Sequence, residues 1–184
     1  MGNNMKPKSE NLAYHAARLL ILIRFAGRPR KDPAILPGVE GRTLLAKLDF
    51  FLRYPEYLKR ASEITGVPIE NPAIINFDET NSVESRMIRY LYGPWDDIYY
   101  PVLAYLVGKK LIVIGKKKNT EIFQLSPRGN EISEQLALTT EFAEISSRAD
   151  FISKVFSKYN GNTLKEFIYK NFPDVVNRKI GEVI

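Results

Sequence analysis

The stretch "YLYGPWDDIYYPVLAYLVGKKLIVIGKKKNTEIFQLSPRGNE", from Tyr90 to Glu131, decides how the chain is read. It holds the only tryptophan, an acidic pair after Gly93-Pro94, an apolar helix-like segment, and a lysine cluster between two strand-like runs. Asp96 or Asp97 is a good N-cap, because a short carboxylate accepts a first-turn amide and suits the positive helix end. The helix over "DDIYYPVLAYLVGKK" then places Ile98, Val102, Tyr105 and Leu106 on one face. Pro101 is expected to remove one early hydrogen bond and bend the first turn. "LIVIG" and "EIFQL" are β-rich, and "KKKNT" between them predicts a hairpin with a basic tip. "SPRGNEISEQLAL" opens another helix, with Ser126 as N-cap and Pro127 at the first position.

Upstream, "ENLAYHAARLLILIRFAG" has helical apolar spacing and stops at Gly27. "GRPRKDPAILPG" reads as a surface loop, whose Arg28, Arg30 and Lys31 either keep it hydrated or meet phosphate. "GRTLLAKLDFFLRYPEYLKRASEITG" predicts two helices joined sharply at Pro55, the first with Leu44, Leu45, Leu48, Phe51 and Leu52 on one face. "VPIENPAIINFDETN" is a linker or irregular lobe. "SVESRMIRY" alternates as a strand does, with Val83, Ser85 and Met87 on one side.

Downstream, "EFAEISSRADFISKVFSKY" is helical. After the "NGNT" break, "LKEFIYKNF" is a helix capped by Asn162 or Thr163. The tail residues Ile180, Val183 and Ile184 either tuck into the protein's own core or dock on a partner. The organisation predicted is a flexible start over 1–9, a winged-helix domain over 10–138, and a C-terminal helical extension over 139–184. The fold class is mainly α with a small β-hairpin: a winged helix-turn-helix core with additional N- and C-terminal helices.

Bulk numbers narrow the function classes. In 184 residues, 45% hydrophobic and 11% aromatic, the chain has enough apolar material for a core. The apolar run Leu19 to Ile23 falls far short of the ~20 residues that cross a bilayer. The first residues lack the apolar stretch of a secretory signal, so a cytoplasmic protein is expected. There is no cysteine and only one histidine, His15, which excludes thiolate and multi-histidine metal sites. A net charge of +6 makes anionic partners, nucleic acid first, a natural expectation. No phosphate-cradling glycine loop and no G-x-S-x-G nucleophile turn occurs. The acidic pairs Asp78-Glu79 and Asp96-Asp97 sit in turn or cap contexts. No catalytic residue, metal or cofactor is therefore assigned.

The element order matches a winged helix-turn-helix, in which one helix enters the major groove and the hairpin follows the backbone. The nucleic-acid-binding candidates are Lys109, Lys110, Lys116, Lys117, Lys118 and Arg128, since lysines at a hairpin tip either contact phosphate or remain solvated. The helix opening argues against base reading: it carries carboxylates and tyrosines, with no arginine, asparagine or glutamine. Trp95, Asp96, Asp97, Tyr99 and Tyr100 are accordingly candidates for a partner interface, although Gly93 to Asp97 reads first as a turn and cap with Trp95 plugging the core.

The segments "LLAKLDFFLRYPEYL", "VESRMIRYLYGPWDDIYYPVLAYLVGKKLI" and "NTLKEFIYKNFPDVV" resemble the winged-helix middle components of ABC three-component bacterial systems, the Lamassu type of antiphage defence among them. The resemblance spans most of the chain from about residue 12, and YGPWDD is its most specific part. It implies a non-enzymatic subunit joined to an SMC-like ATPase and a separate effector, often a nuclease. In that scheme the ATPase senses foreign DNA and the middle component couples its state to effector release. Double-stranded DNA is a further partner, and no membrane is involved. The rival reading is a stand-alone winged-helix transcription regulator that binds DNA as a dimer.

Overall fold

The computed structural model describes residues 11–29, 35–75 and 86–184. Arg30, Lys31, the Asp78-Glu79 pair, and the Val83 and Ser85 positions of the expected strand lie outside these spans. The described residues form eight α-helices and five short strands. The protein is mainly helical, with small antiparallel sheets.

Helix α1 (Leu12–Ala26) starts at Asn11, whose Oδ1 accepts the amides of Ala13 and Tyr14. Leu19 to Ile23 are at most 1% exposed, because α2, α4, α5 and α6 all pack around this helix. An apolar run with no polar face is what a central helix requires. Gly27 ends it where a Cβ would meet the Ile23 carbonyl oxygen at 2.5 Å. Strand β1 (Gly38–Glu40) follows and was not expected. Three residues carry too little periodicity to be seen, and the strand exists through its pairing with β5, Val39 opposite Phe123.

Helices α2 (Arg42–Arg53) and α3 (Pro55–Thr65) meet at Tyr54, as the proline predicts. Pro55 takes the first position of α3, where its missing amide has no helical acceptor to lose. After a 3₁₀ turn over Pro72–Ile75, β2 (Ile88–Tyr90) and β3 (Gly93–Trp95) form an antiparallel ribbon. Gly93-Pro94-Trp95, expected to be a turn and cap, is therefore a strand, and the turn sits at Leu91-Tyr92. The C-terminal tail lies along β2. The Arg89 amide donates to the Glu182 carbonyl at 2.8 Å, and the Ile184 amide to the Met87 carbonyl at 2.8 Å. Ile184 is partly buried against the core, whereas Ile180 and Val183 stay exposed.

Helix α4 (Tyr99–Gly108) begins after a turn at Asp97-Ile98, later than expected, and no side chain caps it. Pro101 then lies in the first turn, whose amides have no helical acceptor, so the expected lost bond does not arise. Strands β4 (Ile112–Lys117) and β5 (Thr120–Leu125) form the predicted hairpin around a two-residue turn, Lys118-Asn119. Lys118 has φ of +54°, in the left-handed region. The sheet order is β1-β5-β4.

Ser126 caps α5 (Pro127–Ala137) as predicted, its hydroxyl accepting the Gly129 amide at 2.9 Å. Gly129 tolerates no side chain, because a Cβ would lie 1.8 Å from the Leu111 carbonyl oxygen. Helices α6 (Ala143–Phe156), α7 (Gly161–Asn171) and α8 (Pro173–Val176) complete the chain. The cap of α7 is Asn160 rather than Asn162 or Thr163. Its Oδ1 accepts both of their amides, and the Thr163 hydroxyl accepts the Asn160 amide in return. Residues 139–184 share the core of the preceding segment: Phe51 of α2 has its ring centroid 4.5 Å from Phe156 and 5.8 Å from Phe172.

Candidate functional site

Around the opening of α4 the structure holds a buried ionic cluster. Arg18 of α1 grips Asp49 of α2 with two bonds, Nε to Oδ1 at 2.9 Å and Nη2 to Oδ2 at 3.1 Å. The Tyr99 hydroxyl donates to the same Asp49 Oδ2 at 2.7 Å. Arg53 stands 3.7 Å from Asp49 and 2.9 Å from Asp96, so two arginines face two aspartates. His15 touches Arg18 through its Nδ1. Burial alone would push the Asp49 carboxyl up, but Arg18 and Arg53 outweigh it and hold the group below its ordinary value. Burial, reinforced by the Asp49 charge, drives the Tyr99 phenol well above its ordinary value.

This cluster fixes where α4 starts, and it corrects one expectation. Tyr99, a candidate for the partner surface, is only 2% exposed and serves as a buried donor. Asp96 faces Arg53, and its Oδ1 accepts the Ile98 amide at 3.0 Å. Asp97 is exposed and accepts the Trp95 indole N–H at 3.2 Å. Trp95 is half-buried, with its ring 5.1 Å from Tyr99, 5.9 Å from Tyr100 and 6.1 Å from Tyr90. Tyr100 remains open to solvent.

The outward face of α4 consists of Tyr100, Pro101, Ala104, Val107 and Gly108, all exposed and spaced as one helical stripe. None of these side chains carries the paired donors and acceptors that read a base edge. An exposed apolar stripe of this kind suits contact with another apolar surface.

The six basic candidates separate into two groups. Lys109, Lys110 and Arg128 are exposed at one end of the sheet, where the Ser126 hydroxyl donates to the Lys110 carbonyl at 2.6 Å. Lys116, Lys117 and Lys118 are exposed at the other end, at the hairpin turn. At about 3.3 Å per residue, β4 separates the groups by roughly 20 Å. Lys117 is paired with Glu40 of β1 at 3.0 Å, so part of the tip charge is neutralised within the protein.

Sequence reading missed the charges buried on helices. Arg18, Lys47 and Asp49 all fall at apolar spacings: Lys47 lies three residues after Leu44 and four before Phe51, inside the buried stripe of α2. A lone charge on an apolar face was the available signal. Among the described residues, no group of three histidine, cysteine, aspartate or glutamate side chains gathers as metal ligands would. No described helix is long and apolar enough to cross a membrane. Compared with known proteins, the chain matches no family model, no curated protein and no solved structure.

Proposed function

We propose that the chain is a non-enzymatic winged-helix adaptor subunit that docks on protein through α4 and touches DNA backbone through its hairpin. The topology supports this reading. A winged helix runs helix, strand, helix, helix, hairpin, with the first strand beside the returning strand of the hairpin. Here α1, β1, α2, α4, β4 and β5 follow that order, and the sheet runs β1-β5-β4. The segment from α3 to β3 is inserted between the second and third helices.

The observation that carries the proposal is the stripe on α4. The helix that would enter a major groove presents Tyr100, Pro101, Ala104, Val107 and Gly108, among which only the Tyr100 hydroxyl can hydrogen-bond. Such a face favours a protein partner over base reading, and hence the adaptor over a stand-alone transcription regulator. Lys116 and Lys118 at the hairpin tip fit sequence-independent phosphate contact. The resemblance of YGPWDD and its neighbouring segments supplies the partners: an SMC-like ATPase and an effector encoded in the same operon, acting in cytoplasmic defence against foreign DNA.

Co-expression of the chain with its operon neighbours, followed by purification and mass determination, tests this. The wild-type chain is expected in a complex. Val107→Glu, a charge placed within the stripe, is expected to abolish the complex while changing stability by less than about 0.5 kcal/mol. Retention of the complex by Val107→Glu, or sequence-specific operator binding by the isolated protein at moderate salt, overturns the proposal.

A further inference from the structure

Beside the α4 stripe a groove opens between the first turn of α2, the β2–β3 ribbon and the start of α7. It has two lobes that share Thr43, Lys47 and Tyr92. One lobe, about 280 Å³, is walled by Tyr90, Tyr92, Pro94, Trp95 and Tyr100. The other, about 470 Å³, is lined by Lys47, Lys165 and Arg28 together with Gly41 and Gly161. These sizes fall near the range of small-molecule sites.

Lys47 floors both lobes. It is 2% exposed, and among the described residues its ammonium has a single acceptor, the Thr43 carbonyl of its own helix at 3.2 Å. No carboxylate faces it among the described residues. Its Cε runs beneath Gly93, 3.9 Å from where a Cβ would sit. Burial, and secondarily the charge of Lys165, holds Lys47 down at about 8. A buried cation with no anion is costly and is ordinarily removed from a fold unless something outside the chain pairs with it. The surroundings favour negative charge. Gly41 offers the first turn of α2 no capping side chain, and Gly41, Thr43 and Leu44 of that turn line the groove. Asn160 already takes two amides of α7, which therefore contributes its dipole alone. Glu40 is the one carboxylate among the lining residues, and Lys117 pairs with it.

The adjoining wall is unusual for a simple anion site. Tyr92 is 54% exposed yet lines both lobes, and Lys165 Nζ stands 5.6 Å from its ring centroid. Arg42 lies 5.6 Å over the ring of Tyr100. Aromatic faces next to cations accept a planar, phosphate-bearing molecule. We propose that this groove binds a 5′-phosphorylated nucleotide, with its phosphate on Lys47 and Lys165 at the uncapped start of α2 and its base against Tyr92 in the aromatic lobe. The ligand is either a free mononucleotide or the 5′ end of a single strand; the site shares Tyr100 with the α4 stripe, whereas Lys47, Lys165 and Tyr92 lie outside that stripe.

Trp95, the only tryptophan, borders the aromatic lobe and reports occupancy through its fluorescence. Titration with AMP is expected to change that fluorescence saturably. Adenosine and inorganic phosphate are each expected to bind at least tenfold more weakly. Lys47→Met is expected to lower AMP affinity at least tenfold without lowering the unfolding temperature, which separates a ligand-binding role from a structural one. Lys165→Met is expected to lower affinity as well and serves if Lys47→Met fails to fold. Affinity is expected to fall as pH rises above about 8, where Lys47 loses its proton, since the phosphate is already dianionic above about pH 6. Competition by a 5′-phosphorylated oligothymidylate, but not by its 5′-hydroxyl form, assigns the strand end as the source. Failure of both to compete assigns the free nucleotide. No saturable signal with AMP, unchanged affinity in both lysine variants, or inorganic phosphate binding as tightly as AMP overturns the proposal.

Discussion

Asp49 and Lys47 stand two positions apart on α2, and both are buried. The rest of the chain treats them in opposite ways. Asp49 receives two bonds from Arg18 and one from Tyr99, with Arg53 close by. Lys47 receives one carbonyl from its own helix. A buried charge surrounded by internal partners holds elements together. One left without an opposing charge, at the floor of a groove, is better explained by what it awaits. Both side chains lie below the surface, so the partners and not the burial alone tell structure from site.

The largest test of this contrast is Asp49→Ala. It leaves Arg18 and Arg53 facing each other without a carboxylate between them, and a loss of about 3–5 kcal/mol is expected in urea unfolding. A loss under about 1 kcal/mol would remove the structural reading of the cluster. Tyr99→Phe deletes one hydrogen bond to a charged acceptor with little change of shape. It should cost about 1.5–3 kcal/mol, and the start of α4 should become less protected from hydrogen exchange. Lys47→Met should act in the other direction, raising stability by about 1–2 kcal/mol because an unopposed charge leaves the interior.

The smallest effect is in the pH profile, where the two residues should again oppose each other. Asp49 is held below its unfolded value of about 3.9, so its contribution is present above that pH. It is lost as the pH falls through the lower folded value. Lys47 titrates at about 8 in the folded chain and at 10.5 as the ordinary value. The unfolded chain binds that proton more tightly, so folded stability should rise between those two pH values. The stability gap between Lys47→Met and the wild-type chain should therefore close over that interval. A constant gap would mean that Lys47 is solvated and that the contrast with Asp49 is false.

Much of the fold was legible because its causes are local. Pro55 divides α2 from α3, Ser126-Pro127 opens α5, and alternating β-rich runs around lysines give the β4–β5 hairpin. The elements that escaped are those made by partners distant in sequence. Strand β1 is three residues held by β5, and Gly93 to Trp95 is a strand because Ile88 to Tyr90 lies opposite. The tail is held against β2 by bonds between Glu182 and Arg89 and between Ile184 and Met87. The candidate site divides in the same way. The lysines at the hairpin tip were legible from composition, since exposed charge at a turn needs no tertiary information. That Tyr99 turns inward while Tyr100 turns outward was set by Asp49, fifty residues earlier in the chain.

The sequence by itself determined which segments are helical, where the hairpin lies and where exposed positive charge gathers, because helix periodicity, caps and turns act over a few residues. Only the tertiary structure decided that Lys47 and Asp49, both buried on α2 but two positions apart and so on different sides of it, meet different surroundings. Whether a buried charge is paired depends on what α1, α4, α7 and the β2–β3 ribbon bring to it, and those neighbours are fixed by packing across the whole chain.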